Sequence, residues 1–133
     1  MTFLKKKNFW IIAGLALIGL WLRLIFINKP EGLWNDEYTS WAIASLPLFS
    51  KSFWAGIASQ CHMPFYYLYL KIFIRFFGNS DTMLRLTSVL PGILSIIAMY
   101  FVGKEFKDEK LGVLTSTITS FSAFLIYFSQ ILL

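Results

Sequence analysis

The sequence predicts an all-α, polytopic membrane protein, and three observations carry that prediction. Apolar residues make up 57% of the 133-residue chain, aromatics 19% and charged residues only 14%, which leaves little with which to dress a water-facing surface. Residues 86–103 and 111–133 carry no charge at all, and residues 9–27 carry only Arg23. The basic residues that give the net charge of +5 lie scattered between these runs rather than on one soluble face, which argues against nucleic-acid binding and for the charge bias of membrane proteins.

The first span is expected over residues 9–27. At about 1.5 Å per residue, such a run crosses most or all of a hydrocarbon core roughly 30 Å thick. Lys5, Lys6 and Lys7 ahead of it resemble the basic start of a signal peptide, but the core is long, contains Arg23 and is followed by no small-x-small cleavage pattern, so a retained anchor is expected. Arg23, about one turn from the end of the run, is read as snorkelling outward.

Residues 28–81 then form an external loop. Pro30 and Gly32 break the first helix, Asn35 is an N-cap candidate, and Asp36 and Glu37 open a short helix over about residues 36–46. Trp34, Tyr38, Trp41 and Ala42 share a face of it that can rest on a membrane. Residues 64–77 are apolar but short for a span, and Tyr67, Lys71, Arg75 and Asn79 draw a polar stripe along them. That pattern predicts a helix lying in the interface. Read as a fourth span it would bury Lys71 at the bilayer centre, at about 2.5 to 3.5 kcal/mol.

The second span is expected over residues 84–103, a cytoplasmic loop with Lys104, Lys107 and Lys110 over 104–110, and the third span over 111–133. Both lysine clusters then lie inside, which gives an integral protein of the plasma (inner) membrane with a cytoplasmic N-terminus and an external loop. Thr115, Ser116, Thr119 and Ser120 give the third span a small, hydroxylated face suited to close helix packing, for which three spans offer few partners. A single Cys61 excludes an internal disulfide, and with a single His62 a Cys/His zinc site lacks ligands.

Taken alone, Asp36 and Glu37 fit a helix start as well as they fit catalysis. The order of motifs adds to this. "LWNDEYTSW", then "HMPFYYLYLKIFIRFFGNSDTMLRLTSVLPGILSIIAMYFVGKEFKDEKLGVL", then "FLIYFSQ" resembles the N-terminal part of GT-C class membrane glycosyltransferases of the dolichyl-phosphate-mannose protein mannosyltransferase-like group. The resemblance covers about residues 24–130 and rests on W-x-D-E, H-x-P-F-Y-Y, F-G-x-S, L-R-L and Y-x-S-Q occurring in that order.

The resemblance implies a hexosyl- or pentosyl-transferring enzyme. It would take a polyprenyl-phosphate-linked sugar as donor and a cell-envelope lipid, glycan or protein as acceptor. The catalytic Asp of the family's acidic pair falls on Asp36, which would act as general base. Glu37 would orient the acceptor or shape the local field. His62 would hydrogen-bond the donor phosphate or an acceptor hydroxyl, and Arg85 would offset phosphate charge. Lys71 and Arg75 are candidates for a lipid phosphate or for plain interfacial anchoring. Some relatives use a divalent metal and others do not, so no cofactor is firmly expected.

Relatives continue past Y-x-S-Q with an acidic and a basic residue and many more spans. The expectation is therefore an N-terminal portion that depends on further helices or a companion subunit and is inactive alone. The alternative is a small non-enzymatic accessory or lipid-binding membrane protein.

Overall fold

The computed structural model describes residues 6–25, 27–28, 32–60 and 63–132. These form seven helices and, among the described residues, no strand: α1 (Lys6–Leu24), α2 (Asn35–Ser45), α3 (Lys51–Ser59), α4 (Pro64–Phe77), α5 (Asp81–Phe106), α6 (Glu109–Phe121) and α7 (Ala123–Phe128). The chain is thus all-helical, as expected.

Local chemistry sets the helix ends. Ser50 accepts from the Phe53 amide at 3.1 Å, and Asp108 from the Leu111 amide at 2.8 Å, so both act as N-caps. Pro64 occupies the start of α4, where its missing N–H costs nothing. Gly78, at φ 89°, ends α4 in a conformation that a side chain would strain. At α2 the N-cap is Trp34 rather than Asn35. Tryptophan has no side-chain acceptor, and the start is secured instead from Glu37, whose Oε2 accepts from the Trp34 amide at 2.9 Å.

Two helices, α1 and α5, are long and apolar enough to cross a membrane. The third span expected over residues 111–133 is not one helix. It breaks at Ser122, whose ψ of 113° is extended and whose hydroxyl caps α7 by accepting from the Leu125 amide. The 13 residues of α6 rise only about 20 Å. Hydropathy could not show this, because the run is uncharged throughout and the interruption comes from a serine hydroxyl competing for backbone donors. The other two spans shift at their ends, α1 stopping at Leu24 and α5 reaching from Asp81 to Phe106.

Helices α1, α5, α6 and α7 pack into a bundle. The α5–α6 contact is made where side chains vanish: a Cβ on Gly112 would stand 2.6 Å from the Tyr100 carbonyl, and one on Gly103 2.8 Å from that of Leu111. The hydroxylated face of α6 finds its partners within the chain. Thr115 donates to the Met99 carbonyl at 2.7 Å, Ser116 to Ile96 at 3.0 Å and Ser120 to Leu15 at 2.9 Å. Outward, the bundle shows large apolar residues such as Trp10, Leu17, Trp21, Leu94, Val102, Ile118 and Phe124.

Helices α2, α3 and α4 form a cap over the end of the bundle where α1 finishes and α5 begins. Helices run at 35–45 and 64–77, close to expectation; α3 was not anticipated. Here lie two clusters of buried apolar side chains, Ile43, Phe53, Ile57 and Tyr67 in one, Ala44, Leu70, Leu84 and Leu132 in the other. At the opposite end, Asn8 donates to Glu109 at 2.9 Å. The start of α1 therefore sits beside the α5–α6 turn, and the basic residues Lys104, Lys107 and Lys110 gather at that end.

Candidate functional site

The acidic pair that opens α2 splits into two environments. Asp36 is exposed, and its carboxylate has no hydrogen-bond partner among the described residues. Glu37, one residue on, is 2% exposed. Its two oxygens take Arg85 as a fork, Nε to Oε1 at 3.2 Å and Nη2 to Oε2 at 3.0 Å. Each oxygen accepts a backbone amide as well, Trp34 at 2.9 Å and Leu132 at 2.8 Å. Arg85, fully buried, also donates to the carbonyls of Ile27 at 3.1 Å and Gly32 at 2.6 Å. One ion pair thus ties together the loop after α1, the start of α2, the start of α5 and the segment after α7.

Burial alone would raise the Glu37 carboxyl. The hydrogen bonds from Arg85, Leu132 and Trp34, with the Arg85 charge, outweigh it and hold the group below the ordinary carboxylate value. Glu37 is therefore an anion at neutral pH, and both its oxygens are saturated with donors. It does not fit a metal ligand, and no set of three or more His, Cys, Asp or Glu side chains among the described residues converges on a metal position.

The other residues singled out in the sequence do not all converge here. Arg85 is in the network, engaged with Glu37 and two carbonyls rather than turned to an open surface. Lys71 folds back, its ammonium donating to the carbonyl of Ala44 at 2.8 Å and to that of Leu46, 5.3 Å above the Phe53 ring. It closes the C-terminus of α2, where a cation complements the helix dipole. Of the polar stripe on α4, Tyr67 is buried, Lys71 half-buried and Arg75 exposed. His62 and Cys61 lie outside the described residues.

A groove of about 600 Å³ opens beside the cap. It runs between α4 (Phe65, Tyr66, Tyr69), the first half of α5 (Thr87 to Ser95) and α7 (Leu125, Phe128, Ser129), with Arg23 of α1 at its base. Arg23 corrects the expectation of snorkelling, for it is completely buried. Its Nε donates to Ser129 Oγ at 3.2 Å, Nη1 to the Gly19 carbonyl at 3.0 Å and Nη2 to that of Thr119 at 3.4 Å. The reason is that α7 and α6 bring acceptors inward, which spares the guanidinium a route to the surface. Gly92 makes the room: a Cβ there would meet Ser129 Oγ at 2.4 Å and Arg23 Nε at 3.0 Å.

Sequence reasoning missed the groove and most of its polar residues. The signal available was the "YFSQ" at residues 127–130. Ser129 holds Arg23, and Gln130 donates to the carbonyls of Leu22 and Arg23 at 3.1 and 3.3 Å, which closes the end of α1. Burial, followed by the charge of Tyr67, pushes the Tyr66 phenol well above its ordinary value, so at the groove this group is a neutral hydroxyl.

Compared with known proteins, the chain matches no protein-family model, no curated protein and no solved structure.

Proposed function

We propose that the protein is the N-terminal, membrane-embedded portion of a glycosyltransferase. It would move a sugar from a polyprenyl-phosphate-linked donor to a cell-envelope acceptor, with Asp36 as general base. The observation that carries the reading is the division of labour in the acidic pair. Glu37 is consumed by Arg85 and two backbone amides, and that buried clamp holds Asp36, an unengaged carboxylate, on the exposed first turn of α2. A helix start needs no such arrangement, since Glu37 alone supplies the return bond.

In the transfer, the Asp36 carboxylate takes the proton of an acceptor hydroxyl as the new bond from that oxygen to the anomeric carbon forms. The bond from that carbon to the phosphate oxygen breaks, and the lipid phosphate leaves with the electron pair. Glu37 and Arg85 act as positioning residues. Arg85 offsets the Glu37 charge rather than the departing phosphate.

The topology belongs to the same reading. Two helices suited to crossing a membrane, and the α5–α6 turn lying beside the start of α1, favour one basic, cytoplasmic end and a cap on the external side of the plasma membrane. With Cys61 replaced by Ser, an impermeant maleimide should label a cysteine placed at Asn35 in intact cells and should not label one at Lys107.

The test of catalysis is sugar transfer by this chain together with the helices that complete such an enzyme. Asp36→Asn keeps the size of the side chain and removes the proton acceptor. Turnover per folded molecule should fall by about 10² to 10⁴, while helix content and donor binding persist. Near-normal turnover in Asp36→Asn would end the catalytic reading.

A further inference from the structure

Helix α4 is apolar on two sides, and the cap uses only one of them. Tyr67 packs with Ile43, Phe53 and Ile57, and Leu70 with Ala44 and Leu84. On the other side Phe65, Ile72 and Phe76 recur at helical spacing and stand 78%, 60% and 78% exposed. A helix that is apolar all round is ordinarily a covered one, so this second face calls for an environment other than water. The polar stripe expected to meet a membrane does not supply the orientation. Tyr67 is buried, and Lys71 is bonded to the carbonyls at the end of α2.

Two observations say what that environment is. The first is continuity: Phe65 lies beside Leu90 and Leu94 of α5, which are exposed on the outward apolar surface of the bundle. The second is depth. Tyr69, midway along α4, donates its hydroxyl to the Thr87 carbonyl at 2.9 Å, and Thr87 lies about 9 Å along α5 from its start at Asp81. The 26 residues of α5 rise about 39 Å against a hydrocarbon core roughly 30 Å thick, so only a few ångströms of it project at each end. The middle of α4 therefore runs beside a part of α5 that has reached the edge of the hydrocarbon. Arg75, exposed at the margin of the stripe, has no carboxylate partner among the described residues, which suits a position at the level of lipid phosphates.

We propose that the Phe65, Ile72 and Phe76 face of α4 is seated in the bilayer surface, between the headgroups and the first acyl carbons, with Arg75 at its edge among the phosphates. The partner is the lipid surface itself. Because Lys71 of α4 holds the last carbonyls of α2, seating α4 also fixes α2, and with it the first turn that carries Asp36, at a set height over the leaflet. The inference rests on the reading of the chain as membrane-embedded and does not depend on sugar transfer.

The test uses the full chain, with Cys61 replaced by Ser, in nanodiscs of phosphatidylcholine and phosphatidylglycerol. Nitroxide labels are placed one at a time at Ile72, at Leu17 on the outward face of α1 and at Asn35 on the first turn of α2, all three exposed positions. Collision rates with oxygen, which concentrates in acyl chains, and with a water-soluble nickel chelate give the depth of each. The label at Ile72 should lie about 5 to 10 Å into the boundary between headgroups and acyl chains, that at Leu17 deeper, and that at Asn35 in water. Phe65→Asp with Phe76→Asp, both at exposed positions that leave the cap interior intact, should raise the Ile72 label toward water by about 5 Å or more and leave Leu17 where it was. A water-exposed Leu17 would defeat the membrane reading, and the proposal with it. Leu17 in the acyl chains with Ile72 open to nickel would overturn the proposal alone. So would an Ile72 label shielded from both collision partners, since a second copy of the chain would then cover the stripe, or an unchanged depth in the double variant.

Discussion

The bundle and the cap are held together by different physics. In the bundle, α5 and α6 meet across glycines, and hydroxyls of one helix bond to carbonyls of another; large apolar residues face outward. In the cap, Phe53, Tyr67 and Leu70 are wholly buried, and the surface carries Asp36, Arg75 and other polar groups alongside exposed aromatics. Helices in lipid gain nothing by hiding apolar side chains from one another, so they associate through close backbone approach and hydrogen bonds. Elements in contact with water associate by burying hydrocarbon. The contrast sets a bundle packed in the manner of helices in lipid against a cap built around its own apolar core, and the Glu37–Arg85 pair is where the two are joined.

The largest effect should come from that joint. Arg85→Met leaves Glu37 buried without its partner, which typically costs about 3 to 5 kcal/mol. Hydrogen exchange should show the cap opening while the α5–α6 contact stays protected. Replacing both partners, Glu37→Leu with Arg85→Met, should recover only part of the loss, because it removes the unpaired charge but leaves the Trp34 and Leu132 amides and the Ile27 and Gly32 carbonyls without these partners. Equal loss of protection in cap and bundle would mean that the two regions form one cooperative unit.

Opposite changes of size should then divide the regions. Phe53→Ala empties a fully buried site in the cap, at about 3 kcal/mol or more. Gly112→Ala adds a methyl 2.6 Å from the Tyr100 carbonyl in the bundle, and overpacking of that kind costs about 1 to 3 kcal/mol. Exposing the cap to detergent of higher solvating power should magnify the first and leave the second nearly unchanged. Unfolding curves in a detergent series measure both.

A change of pH should act on the joint as well. The Glu37 carboxyl is held below its ordinary value in the folded chain, so its contribution is fully present above the unfolded value near about 4.3. It is lost as pH falls through the lower folded value. Acid should therefore undock the cap first, with amides of α2 losing protection before those of α5 and α6. In Glu37→Gln that acid-dependent step should vanish.

Much of this organisation could be read from the sequence, and the failures have physical causes. The helices at residues 35–45 and 64–77 were legible because Pro, Gly and Ser mark their limits and aromatic residues keep one face. The small-residue face of α6 was legible as a packing surface. The break at Ser122 was not, since serine in an apolar run looks the same whether it bonds within a helix or caps the next one. Arg23 was misread as snorkelling, and the partners of Glu37 were not foreseen, for a shared reason. A charge near a helix end reads as exposed unless one knows that Ser129, or Arg85 and Leu132, come back to meet it, and those partners lie far along the chain. Asp36 is exposed, and no distant residue among those described answers it.

The smallest effect expected is also the most local, and it lies on the wall between the two regions. Pro91 stands inside α5 and has no N–H, so the carbonyl four residues earlier, that of Thr87, loses its helical donor. Thr87 is buried, and water cannot replace the bond. The structure supplies a donor from the cap instead, the Tyr69 hydroxyl, at 2.9 Å from the Thr87 carbonyl. Tyr69→Phe keeps the ring and leaves that oxygen without a partner, which should cost about 1 kcal/mol. Pro91→Ala on its own should restore the helical bond and make the Tyr69 hydroxyl dispensable. In the double variant the cost of Tyr69→Phe should then shrink toward zero, and a coupling of this sign, read from the four stabilities, ties the bond to the proline. If Tyr69→Phe costs the same with Ala at position 91 as with Pro, the cap hydroxyl is not compensating for the missing amide, and the contact between cap and bundle at this point rests on ring packing alone.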